Sequence, residues 1–184
     1  MKLLLYSIAI LLATVGCNNS PNSYQIRNDE KIANELMKNV AQELNTKLNL
    51  YPCGTGGRMM HEIKMLALAF DYYQPITIEE GRNLLITSID IFVKAVNDDE
   101  RIRPYLANYP FEPKNVQIRI FLRNPNGSNP GPGEFAVISS IDGILEYDVN
   151  DPKNPLFTTI HKESYQEALQ AQKTSDSHLL KIAQ

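Results

Sequence analysis

The sequence predicts an α+β domain, an antiparallel-rich sheet of about four strands with helices packed on one face. Three observations predict it. Apolar residues recur at helical spacing from Ile32 to Leu48 and again from Leu84 to Val96. Residues 116–123 alternate between an apolar face and a mostly polar one, with Phe121 the apolar exception on the outward side. Asp142-Gly143 stands between two β-rich runs, the pattern of a tight hairpin turn.

Taken in order, the first helix is expected over "NDEKIANELMKNVAQELNTKLNL". Ile32, Leu36, Val40, Leu44 and Leu48 repeat every four residues, and Ala33, Met37 and Ala41 widen the stripe. Asn28 or Asp29 suits its cap, and Glu30 suits the positive end of its dipole. "YPCGTGGRMM" reads as a loop, because Gly54, Gly56 and Gly57 favour turns and close backbone approach. The first strand is expected in "HEIKMLALAFDYY". There Leu66, Leu68, Phe70 and Tyr72 oppose Ile63, Met65, Ala67 and Ala69, and two apolar faces place a strand inside a sheet.

The second helix begins after Thr77, which forms a capping box with Glu80, and it buries Leu84, Leu85, Ile89, Phe92, Val93 and Val96. "NDDE" ends it, and Pro104 limits any shorter helix beyond. In "NVQIRIFLR", Val116, Ile118, Ile120 and Leu122 face the core, while Gln117, Arg119, Phe121 and Arg123 face outward. That is the pattern of a half-exposed antiparallel strand. "NPNGSNPGPGE" is a loop, "FAVISSIDGILEYDV" a hairpin, "NDPKNPL" a loop, and "KESYQEALQAQK" a short helix beginning near Glu163 or Ser164.

Ahead of this domain lies a different kind of segment. Lys2 precedes an apolar run, Leu3–Val15, broken only by Tyr6, Ser7 and Thr14, and Gly16 closes it. This is the layout of an export signal, too short for a membrane span of about 20 apolar residues. "ATVGC" resembles the bacterial lipobox. The resemblance implies that residues 1–16 are removed and that Cys17 carries lipid. It also implies an exported, membrane-anchored chain. The polar run that follows reads as a tether over 17–28, and the remaining length suits a single domain over 29–184. Asn18, rather than Asp, directly after the Cys favours the outer membrane in a Gram-negative source. The alternative is an ordinary leader that leaves Cys17 free or disulfide-bonded. The stretch from "CGTGGRMM" to the Asp-Gly hairpin resembles a family of uncharacterised bacterial lipoproteins, and that resemblance brings no catalytic residues with it.

The 18 Lys and Arg against 21 Asp and Glu leave a formal charge of −3, which argues against a nucleic-acid binder, a class that normally shows a basic face. Only Cys17 and Cys53 exist, so lipid on Cys17 leaves Cys53 without an intramolecular partner. Cys53 is expected to be buried or half-buried, as free cysteines usually are. The alternatives are a reactive thiol or an intermolecular link. His61, His161 and His178 are dispersed, and neither His-Glu-x-x-His nor Gly-x-Ser-x-Gly occurs. The glycine run lacks the Gly-Lys-Ser/Thr of a phosphate loop. No metal, cofactor or catalytic set is therefore expected. Two candidate surfaces remain. One is a cationic-aromatic interface of Arg101, Arg103, Tyr105, Arg119, Phe121 and Arg123. The other is a loop site of Cys53, Gly54, Gly56, Gly57 and Arg58. The function these features imply is binding of a protein or envelope component. The alternatives are an envelope assembly accessory or, further off, a thiol enzyme using Cys53.

Overall fold

The structure is a computed structural model that describes residues 26–153 and 157–182. The leader, Cys17 and the first part of the tether lie outside the described residues. Among the described residues, three α-helices and six strands form a mixed α+β fold: α1 (Asn28–Leu48), β1 (Tyr51–Arg58), β2 (Met65–Tyr72), α2 (Ile78–Asp98), β3 (Val116–Leu122), β4 (Phe135–Ile141), β5 (Ile144–Val149), β6 (Thr158–Ser164) and α3 (Tyr165–Ile182). The sheet runs in sequence order from β1 to β6.

Two strands are added to the expectation, and both are edges. The glycine-rich segment is not a loop: residues 51–58 pair antiparallel with β2, with a bulge between Pro52 and Gly54. β6 pairs antiparallel with β5, again with an irregularity, at Tyr147/Asp148. Bulged edges are poor templates for unwanted pairing. A further correction concerns β3. It is antiparallel to β4 but parallel to β2, with Leu66 opposite Val116 and Tyr72 opposite Leu122. Parallel neighbours need a long crossover, and α2 provides it.

Strand alternation decides where the helices pack. Leu66, Leu68 and Phe70 of β2, Ile118 and Ile120 of β3, Ile138 of β4, and Leu145 and Tyr147 of β5 all enter one buried cluster. Ala33, Leu36, Met37, Val40 and Leu44 of α1 join it, with Leu85, Ile89 and Phe92 of α2 and Ala168 of α3. α2 lies between the other two helices over the middle strands. Thr77 caps it as expected: its hydroxyl accepts from the Glu80 N–H at 3.2 Å, and the Glu80 carboxylate accepts from the Thr77 N–H at 2.7 Å. Gly81 has a packing reason. A Cβ there would stand 3.3 Å from both Ile76 and Tyr147, so α2 approaches the sheet closely at its first turn.

The start of α1 differs from the expected side-chain cap. Arg27 precedes the helix with no capping bond, and Asp29 is buried in the first turn, bound by the Arg27 guanidinium. Asn49 ends α1 in the left-handed region at φ 55°. The hairpin is as expected: Asp142 and Gly143 have φ of 49° and 78°, the two positive values of a type I′ turn. β6 runs directly into α3. There the Ser164 hydroxyl accepts from the Glu167 N–H, and the Glu167 carboxylate accepts from the Ser164 N–H at 2.8 Å.

Candidate functional site: the open face of the sheet

With all three helices on one side, the other side of the sheet carries no element of the described residues. Directly paired residues share a face, so the register assigns its side chains. Gly54 lies opposite Ala69 and Gly56 opposite Ala67 on β1 and β2. Ala67 faces Gln117, Ala69 faces Arg119 and Asp71 faces Phe121 on β2 and β3. Arg119 faces Ser139, and Ser139 faces Glu146, on β3 to β5.

Small residues on two neighbouring strands leave a trough of about 200 Å³, floored by Gly54, Gly56, Ala67 and Ala69 and walled by Gln117, Arg119 and Ile141. Sterics do not demand glycine at the floor. A Cβ on Gly54 or Gly56 would sit 3.4 or 3.7 Å from the facing alanine, which is ordinary contact. The trough exists because side chains are missing there. Gly57 differs, since a Cβ would come within 3.0 Å of the Met65 carbonyl.

Most charges around the trough are already matched. Arg123 Nε donates to Asp71 at 2.8 Å, and Lys162 pairs with Glu146 at 2.6 Å. Arg58 pairs with Asp142 at 3.0 Å. The Asp148 carboxylate accepts from the Thr159 hydroxyl at 2.7 Å. Arg119 is exposed, with neither an ion pair nor a hydrogen bond to any described residue. Phe121 is half-buried, with the Arg123 guanidinium 5.5 Å from its ring centre.

Half of the expected cationic-aromatic interface therefore belongs here: Arg119, Phe121 and Arg123. The other half is elsewhere and engaged. Arg101 is held by Asp99 at 2.8 Å and by Glu35 at 3.2 Å, tying the end of α2 to α1. Arg103 stacks 4.6 Å from the Tyr109 ring centre. Tyr105 receives a hydrogen bond from the Asn28 side chain at 3.0 Å. The expected loop site lies instead on edge strand β1, and Gly54 and Gly56 fall beside Arg119. Sequence reasoning missed that the two groups meet, because nothing local to 51–58 announces a strand.

Cys53 is exposed at the β1 bulge, contrary to the expectation of burial. Partial desolvation of the thiol, then the Asp71 charge, push its pKa up, against a smaller opposing pull from Arg123. That environment disfavours the thiolate a nucleophile needs. Among the described residues, no three His, Cys, Asp or Glu side chains gather to hold a metal ion. A buried polar cluster does exist on the helix side. Arg82 Nε donates to both Glu163 oxygens at 2.9 and 3.1 Å, the Tyr147 hydroxyl donates to Glu163 at 2.8 Å, and His161 Nε2 lies 3.6 Å from it. Burial and the Glu163 carboxylate hold the Tyr147 hydroxyl far above its ordinary pKa. This cluster ties edge strand β6 to α2. No helix of the described residues is long and apolar enough to cross a membrane.

Comparison with protein families, with curated proteins and with solved structures finds no match to this chain.

Proposed function

We propose that this chain is an exported lipoprotein of the cell envelope, anchored by acyl chains on Cys17, and that its domain binds an envelope protein through the open face of the sheet. The partner presents an extended, acidic segment. The observation that carries the binding role is Arg119, a cation without a partner among the described residues, beside a trough emptied of side chains. An extended strand fits a shallow trough between β-strands, and a carboxylate supplies the charge that Arg119 lacks. The role is non-catalytic, and an exposed Cys53 thiol whose pKa is pushed up by partial desolvation and the Asp71 charge accords with that.

The lipobox resemblance of "ATVGC" supports the anchor. One acyl chain holds weakly, while several hold stably. Asn18 directs the protein to the outer membrane if the source is Gram-negative.

Two experiments test the two halves separately. Metabolic labelling with an alkyne fatty acid is expected to tag the protein, and Cys17→Ser is expected to remove the tag. An unlabelled wild type would remove the anchor. A photo-crosslinking residue in place of Gln117 is expected to yield one discrete protein adduct in cells. Arg119→Glu, or Gly54→Val with Gly56→Val, should abolish it without changing the melting curve. An adduct indifferent to both changes would remove the open face from the proposal.

A further inference from the structure

A second concavity, of about 410 Å³, lies beyond the carboxyl ends of β2 and β3, the parallel pair. Its origin is topological. After β2 the chain turns through Gln74 and Pro75 into α2, while β3 continues into the loop over 123–134. The segments after the two parallel strands leave in different directions, and a crevice opens beyond the strand ends. Its size is at the small end of the range for small-molecule sites.

The loop wall is fixed in place. Arg123 N–H donates to the Tyr72 carbonyl at 2.8 Å, and Asn124 N–H to the Ser128 carbonyl at 2.9 Å. Gly133 N–H donates to the Asn150 carbonyl at 2.7 Å, and the Asn150 side chain donates to the Pro130 carbonyl at 2.9 Å. A wall braced at both ends needs little ordering on binding.

The lining is apolar with two opposite charges. Pro75, Ile76, Leu122, Pro125, Pro130 and Phe135 supply the apolar part, and Arg123 and Glu134 supply the charges. Arg123 Nε is bound to Asp71 and one terminal nitrogen to Asn129, which fixes the guanidinium. Its other terminal nitrogen has no acceptor among the described residues. One Glu134 oxygen accepts from the Gly131 N–H at 2.6 Å, and the carboxylate has no ion pair among the described residues.

We propose that this crevice binds a short apolar peptide with both termini free, about a dipeptide in size. Arg123 holds the carboxylate, Glu134 holds the ammonium, and the proline and Phe135 walls take the side chains. An uncharged apolar ligand would leave both charges unused. A simple anion would meet Glu134, and a simple cation would meet Arg123.

The test is calorimetric titration of the full chain with Leu-Phe, N-acetyl-Leu-Phe and Leu-Phe amide. Saturable one-site binding of Leu-Phe is expected, with at least tenfold weaker binding of each blocked analogue. Glu134→Gln should erase the distinction between free and acetylated peptide. Arg123→Gln should erase the distinction between acid and amide. Gln74→Trp, at an exposed position on the rim, should close the crevice and abolish binding while the fold stays intact. No binding at low millimolar peptide would overturn the proposal. So would equal binding of the three probes, or binding that survives Gln74→Trp. The probe comparison within the wild type stands even if Arg123→Gln fails to fold.

Discussion

Phe70 and Phe121 lie on neighbouring strands of one sheet and face opposite ways. Phe70, opposite Ile120, is fully buried under the helices, whereas Phe121, opposite Asp71, is half-buried on the side no helix covers. The same division runs along the sheet. On the covered face the side chains are large, apolar and in one contiguous cluster. On the open face they are mostly small on β1 and β2, include Arg119 and Phe121 on β3 and Val137 and Ser139 on β4, and turn charged at Glu146 and Asp148 of β5 and Lys162 of β6. Stability is concentrated on one side, which leaves the other free to vary in chemistry without unfolding the domain. Phe70→Ala is therefore expected to cost about 3–5 kcal/mol and Phe121→Ala about 1 kcal/mol or less, read by urea unfolding. Equal losses would mean that the open face is a second core.

The two faces also treat arginine differently. Arg82 is nearly buried and bonded to Glu163, while Arg119 is exposed and unbonded among the described residues. Removing one partner of a buried pair strands the other charge. Arg82→Leu is expected to cost about 3 kcal/mol, with the Tyr147 bond to Glu163 limiting the loss. Arg119→Leu should stay within about 0.5 kcal/mol. The same unfolding titration checks both, and a destabilising Arg119→Leu would turn that residue from a recognition group into a structural one.

A smaller effect separates the helix ends from both faces. The Arg27 side chain lowers the pKa of Asp29, and the Arg101 side chain lowers that of Asp99. Backbone N–H groups of Thr77 and Ser164 lower those of Glu80 and Glu167. Each carboxyl has a folded pKa below its unfolded value of about 4. The stability it contributes is complete above that value and is lost as pH falls through the folded pKa. Melting temperature is expected to drop below about pH 4, and the drop should be shallower in Asp99→Asn. An unchanged acid limb would show that this tie between α1 and α2 contributes nothing.

The same contrast explains how much of the fold was legible in the sequence. α1, α2, β3 and the β4–β5 hairpin have a covered side, and burial imposes periodicity on it. β1 and β6 are edges with little to bury. "YPCGTGGR" offers glycines with no alternation, and "TTIHKES" is mostly polar, so neither resembles a strand locally. Partners distant in the chain make them strands. The parallel β2–β3 pairing was hidden for a related reason: alternation reports which face is buried and not the direction of the neighbour. The candidate site suffered most, because Gly54 and Arg119 are far apart in sequence and meet only through β2.

Cys53 gives the smallest and sharpest contrast, since it sits where an edge strand meets the open face. The bulge at Pro52/Gly54 turns it outward, so its reactivity is governed by charge and partial desolvation rather than by access. A maleimide is expected to label it completely in the native state. At pH 8 the rate should fall below that of a free cysteine, because the raised pKa leaves less thiolate. The rate should then climb as pH rises beyond the ordinary thiol range. Asp71→Asn removes one of the two causes of the shift and should raise the rate at pH 8. A wild-type rate at or above that of free cysteine would place an activated thiol on the open face and reopen the thiol-dependent alternative.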